Sequence, residues 1–107
     1  MTALHWAAAD GQEAIVRLLL DAHTTIDTRD SEGCTALHLA AANGHEDVVR
    51  PLTDRKADIA AEDGNGETAL HLAAANGYEG VVRLLLDNGA NIEAKDGSME
   101  PAYLFLR

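Results

Sequence analysis

The chain is 107 residues long, with 8 Lys and Arg against 18 Asp and Glu and a formal net charge of −10. That length gives one domain with a modest core and a small margin over unfolding. The acidic balance repels phosphate backbones and anionic lipid, which argues against nucleic-acid binding and against docking on membranes.

Residues 2–9, TALHWAAA, predict a first helix that ends at Gly11. Thr2 suits an N-cap, the alanine-rich run suits a helix, and glycine accepts the left-handed stop. A second helix is expected from about Gln12 to Asp21, because Ile15, Val16, Leu18, Leu19 and Leu20 recur at helical spacing. TTIDTRDSEG then reads as an extended connector. The same order returns at 35–42 and about 46–54, and again at 68–75 and about 79–87. TALHLAAANG stands at 35–44 and at 68–77, and Thr2, Thr35 and Thr68 are 33 residues apart. Such a period predicts stacked helix pairs that bury one another's faces.

The expected units are about 1–29, 30–62 and 63–95, with a partial unit at 96–107, in a single domain 1–107. Ile26, Ile59 and Ile92 predict one buried apolar contact per connector. Short, small-sided first helices beside longer leucine-rich ones predict a curved stack, with the first helices and the turns on its concave side. No apolar run approaches the ~20 residues of a membrane span. Met1 leads straight into repeat sequence, without the pattern of a signal peptide. The single cysteine, Cys34, has no partner for an internal disulfide, so the expected setting is intracellular and cytoplasmic.

Some residues look chemical. His5, His38 and His71 also recur every 33 residues. Neighbouring helices pack ~10 Å apart, whereas zinc–nitrogen bonds are ~2.0–2.1 Å, so the three cannot share an ion. Each is expected to hydrogen-bond the backbone of a neighbouring turn, helped by its threonine. Cys34 precedes His38 by four residues but lacks a third group to orient the imidazole. It is expected at a solvent-facing tip, open to oxidation. EDGNGE at 62–67 has a turn glycine but too few carboxylates for a calcium loop. Asp27, Asp30, Glu32, Asp58, Glu62, Asp63 and Glu67 read as solvated acidic turns. No catalytic, metal or cofactor residue is assigned, because no nucleophile, base and orienter come together.

The motif D-x-x-G-x-T-A-L-H-L-A-A-x-x-G-H/Y-x-x-V-V-x-L-L-L-x-x-G-A-x-I resembles the ankyrin repeat. Asp30, Gly33, Thr35, Leu37, His38, Ala40, Ala41, Gly44, Val48 and Val49 carry it in the second unit. Asp63, Gly66, Thr68, Leu70, His71, Ala73, Ala74, Gly77, Val81, Val82, Leu84, Leu85, Gly89 and Ala90 carry it in the third. The resemblance implies an all-α helix-turn-helix solenoid with protruding β-turn fingers, no catalysis and no cofactor. It implies protein–protein binding through the fingertips and the concave face of the first helices. On this chain the implied partner-binding residues are Ser31, Glu32, Cys34, Asn43, Gly64, Asn65, Glu67, Asn76, Ser98 and Glu100. Acidic tips favour a protein partner with a basic surface. Tyr78 is the nearest aromatic anchor. The alternative is a structural scaffold or a natural or designed segment of a longer array. Such a scaffold or segment has no partner of its own, and apolar surface left at the ends by Leu4, Trp6, Tyr103, Leu104, Phe105 and Leu106 reads either as the cut face of a longer array or as a face that pairs with another copy.

The chain departs from the pattern in places. Ala3, Ala36 and Ala69 replace the usual proline, at little cost. His23 and Lys56 stand where glycine is expected, at ~1–2 kcal/mol each. Pro51 falls inside the second helix of the middle unit, at roughly 3 kcal/mol, and Thr53 replaces a buried leucine. The expectation is a kinked or shortened helix around 47–54 and a softer middle unit. From Asp96, DGSMEPAYLFLR begins a fourth unit in which Met99 replaces the turn glycine and Pro101 opens a helix.

Overall fold

The computed structural model describes residues 1–97. Six helices follow in order: α1 Ala3–Ala9, α2 Glu13–Asp21, α3 Ala36–Ala42, α4 Glu46–Asp54, α5 Ala69–Ala75 and α6 Glu79–Asp87. Helix α1 lies against α3, and α3 against α5. The longer helices α2, α4 and α6 form a second row behind them. This is an all-α repeat solenoid. The fourth-unit residues Ser98, Met99, Glu100, Pro101, Tyr103, Leu104, Phe105 and Leu106 lie outside the described residues.

Each first helix starts the same way. The Oγ1 atoms of Thr2, Thr35 and Thr68 accept from the backbone N–H of His5, His38 and His71 at 3.3, 3.4 and 3.4 Å. In return the Nδ1 atoms of those histidines accept from the threonine N–H at 3.0, 3.1 and 3.1 Å. This is a capping box in which imidazole does what glutamate usually does. The first helices end at Gly11, Gly44 and Gly77, with φ of 72°, 74° and 75°. The next N–H reaches back to Ala7, Ala40 and Ala73, which closes a Schellman turn and launches the second helix. Second helices end alike, but with His23 (φ 62°) and Lys56 (φ 66°) in the left-handed region.

The core runs the length of the stack. Leu37, Leu52, Leu70, Leu85, Val16, Val48, Val49 and Val81 are fully enclosed, and alanines at 8, 40, 41 and 73 let the first helices approach closely. Enclosing each leucine or valine stabilises by ~1.5–3 kcal/mol. Leu4 is only 3% exposed, because α3 covers it; it belongs to this core and not to an open end. Ile26 and Ile59 pack against the core as expected, but Ile92 is 40% exposed. No later connector lies over it among the described residues.

Pro51 does not shorten its helix. Helix α4 has nine residues, as α2 and α6 do. One bond is lost, from position 51 to the Asp47 carbonyl, while its neighbours hold. The Val49 N–H reaches His45 O at 3.0 Å and the Arg55 N–H reaches Pro51 O at 3.1 Å. Val48, Val49 and Leu52 are completely buried, so tertiary packing holds the turn that local preference would break. Thr53 takes leucine's place by donating its hydroxyl to the carbonyls of Val49 and Arg50, both at 3.0 Å.

Candidate protein-binding surface

Between α2 and α3, and again between α4 and α5, the chain makes a finger. In the first, the Asp30 N–H donates to Cys34 O at 2.9 Å and the Gly33 N–H to Asp30 O at 3.0 Å. Asp30 Oδ1 accepts from the N–H groups of Glu32 and Cys34, both at 2.9 Å. Burial pushes the Asp30 carboxyl up, but those two N–H groups, together with the nearby His5 and the chain's amino terminus, bring the net shift downward. The second finger repeats this from Asp63, whose Oδ1 accepts from Asn65 at 2.8 Å and Glu67 at 3.0 Å. Aspartate at the finger base is therefore a staple turned inward and not a free surface charge.

The fingers also join each other. The Gly64 N–H donates to Glu32 O, and the Gly97 N–H to Asn65 O, both at 2.9 Å. Approach is so close that a Cβ on Gly64 would sit 2.9 Å from Glu32 O, and one on Gly97 2.3 Å from Asn65 O. The result is a continuous edge of turns. It is anchored from below: Nε2 of His5 meets Cys34 O, and Nε2 of His38 meets Glu67 O, both at 2.9 Å. Because Nδ1 accepts from threonine, Nε2 carries the proton and donates. Both ring nitrogens of His5 and His38 are thus used structurally, tying each first helix to the next finger. Among the described residues no group of three or more His, Cys, Asp or Glu is placed to hold a metal.

The expected site residues divide. Ser31, Glu32, Gly64 and Asn65 are exposed along the finger edge, and Glu67 is half-buried at its base. Burial pushes the Glu67 carboxyl up, and the nearby Asp63 and Asp96 carboxylates add to it. Open, polar-lined hollows flank the edge, one at Arg29–Gly33 and Gly64, the other at Gly64–Glu67 and Gly97. Ser98 and Glu100 lie outside the described residues.

Cys34 is a correction. It is 8% exposed, not solvent-facing, because the Asp30 staple sets it at the base of the finger. Burial first, then the surrounding carboxylates, push its thiol up to about 11. It is therefore neither a tip residue nor a reactive thiol.

Asn43 and Asn76 are exposed at the ends of α3 and α5, but their amides are committed. Asn43 Nδ2 donates to Leu39 O at 3.0 Å and Ala9 O at 3.3 Å, and Asn76 Nδ2 to Ala42 O at 3.1 Å. Sequence reasoning missed their neighbour His45, whose Nε2 donates to Ala9 O at 3.0 Å. A Cβ on Gly11 would meet the His45 ring, and one on Gly44 would meet Tyr78. The signal was the ring-bearing residue that follows Gly44 and Gly77. It also missed cross-unit pairs, Arg55 with Asp21 and Arg29 with the Glu62 carbonyl.

Capped short helices with glycine stops repeat three times, with joined fingers between them, and a family model for ankyrin repeats matches residues 4–96 in three copies. The chain belongs to the ankyrin-repeat family. Ankyrin repeats are generally protein–protein interaction modules, and the family is typically non-enzymatic. A search of curated proteins finds no match. Among the described residues of this ankyrin stack, no helix is long and apolar enough to cross a membrane.

Proposed function

We propose that the ankyrin stack is a binding module for a protein with a basic surface, working inside the cell as one domain over residues 1–107. The partner lies along the finger edge at Ser31, Glu32, Gly64, Asn65 and Glu67; Ser98 and Glu100, outside the described residues, join the proposed set by their place in the repeat sequence alone. Asn43 and Asn76, at the far ends of α3 and α5 from the fingers, join the proposed set as shape, since their amides already serve the stack. The observation that carries this reading is the joined edge, where inward aspartates leave Glu32 and Asn65 outward on a rigid support. A preorganised edge loses little conformational entropy on binding. The chain's charge of −10 steers a cationic partner toward it.

The test changes Ser31, Glu32, Asn65 and Glu67 to lysine and compares partner capture with the native chain. Loss of capture supports the edge. Equal capture refutes it. With a partner in hand, the association rate falls as salt rises, and a rate indifferent to salt removes the electrostatic part of the reading.

A second reading is a scaffold that associates through its first unit. Trp6, Ile15 and Leu18 are 61%, 46% and 64% exposed, whereas Val48 and Val81, the counterparts of Ile15, are buried. Light scattering over a concentration range decides it: a lasting monomer excludes tight self-association.

A further inference from the structure

Four Asn-Gly steps occur in the chain, at 43–44, 65–66, 76–77 and 88–89. Asparagine is a thermally labile residue, and a following glycine offers no side chain to shield its own nitrogen from the asparagine amide. Structure separates the four. Asn43, Asn76 and Asn88 are helix C-caps with their amides held. Asn43 Nδ2 donates to Leu39 O and Ala9 O, Asn76 Nδ2 to Ala42 O, and Asn88 Nδ2 to Leu84 O at 2.8 Å. To react, each must leave those bonds and fray a helix end. Asn65 is exposed near the apex of a finger. Its backbone is bonded, to Asp63 Oδ1 and from Gly97 N–H, but its side-chain amide makes no hydrogen bond among the described residues.

We propose that Asn65 is a spontaneous modification site, converting to aspartate and isoaspartate in the folded protein ahead of the other three. The Gly66 nitrogen attacks Asn65 Cγ. A C–N bond to Gly66 forms as the C–N bond to the amide nitrogen breaks, and that nitrogen leaves as ammonia with the Gly66 proton. Water then opens the resulting succinimide at either carbonyl, giving aspartate or isoaspartate. Water enters and ammonia leaves, and nothing is oxidised or reduced.

The change adds a carboxylate to the tip of a finger whose flank and base already carry Glu62, Asp63 and Glu67. In the isoaspartyl form the main chain runs through Cβ and Cγ, and the α-carbonyl that accepted from the Gly97 N–H leaves the main chain as a free carboxylate branch. The finger edge is thereby both recharged and unjoined. This inference stands whether or not the edge is where a partner binds.

The test incubates the full chain, native and in urea, and scores each asparagine by peptide mass spectrometry for exchange of ammonia for water. In the native protein Asn65 converts roughly fivefold faster than the fastest of the other three, the factor that one ordinary side-chain hydrogen bond is worth. In urea the four rates converge. Asn65→Gln removes the fast component and leaves the slow ones. Equal native rates, an inert Asn65, or the same preference in urea would each overturn the proposal.

Discussion

Replacing Pro51 by leucine or by alanine isolates what the middle unit loses through its proline. In the fold α4 keeps its full nine residues, so the loss is confined to one backbone bond and the crowding of the Asp47 carbonyl. A missing helical bond with its steric term is worth roughly 3 kcal/mol. Pro51 is itself buried, so leucine adds little burial beyond the ring's own and alanine gives up part of it. For a domain of this size each kcal/mol shifts the melting temperature by about 4 °C, so the leucine variant is expected to melt roughly 10 °C higher and the alanine variant less far above the native chain. Thermal unfolding followed by far-UV circular dichroism measures this. Hydrogen exchange adds a local readout: amides of 46–57 exchange faster than those of 79–90 in the native chain, and the gap narrows in the variants. A rise with alanine but not with leucine means the site is too tight for the larger side chain. No rise with either refutes the reasoning, because the helix then bears no cost.

Other expectations follow from single contacts. His38→Leu leaves the buried Thr35 N–H unpaired and takes one of two donors from the Glu67 carbonyl, which keeps the Asp63 N–H, so denaturant unfolding should show a loss of about 2 kcal/mol; a loss near zero would dismiss the imidazole tie. Lys56→Gly relieves a left-handed residue at φ 66° and raises stability by about 1 kcal/mol after glycine's own entropy is counted; denaturant midpoints check it. Cys34 resists a thiol reagent in native buffer and reacts at once in denaturant, and rapid native labelling would contradict its burial. Glu67→Gln raises the melting temperature at neutral pH. The folded carboxyl is shifted up, so its ionised form opposes folding above that range, and the opposition disappears as pH falls through it. An equal gain in acid would show that ionisation is not the cause.

The helices were legible because their ends are written locally. Thr2, Thr35 and Thr68 cap, glycine stops, and the expected boundaries differ from the observed ones by at most one residue. The histidine ties to neighbouring turns were legible for the same reason, through the recurring Thr-x-x-His spacing. A shortened α4 and a tip-facing Cys34 were misread where a local signal met a distant one. Pro51 carries a real local cost, but whether a helix yields depends on the packing of Val48, Val49 and Leu52, which no window around the proline reveals. Cys34 follows a turn glycine and so reads as a tip; the Asp30 carboxylate that turns it inward acts from four residues earlier. The amides of Asn43 and Asn76 point at carbonyls 34 residues away, a relation that only the register of the stack creates.

Helices α3 and α5 have the same seven residues, ALHLAAA, make the same caps, and reach back alike through Asn43 to Ala9 and through Asn76 to Ala42. Each is therefore an acceptable lodger in the other's place, and a folding chain has a register to lose. Slipping by one unit lengthens a loop, a change whose entropic cost grows only slowly with length. What sorts the two is the second row: Pro51 and Thr53 in α4 against Leu84 and Leu86 in α6, and Arg55, which pairs with Asp21 and has Asn88 as its counterpart after α6. The residues that weaken the middle unit are also its address label. Making it identical to its neighbour would produce a tougher chain with fewer means of knowing which unit is which.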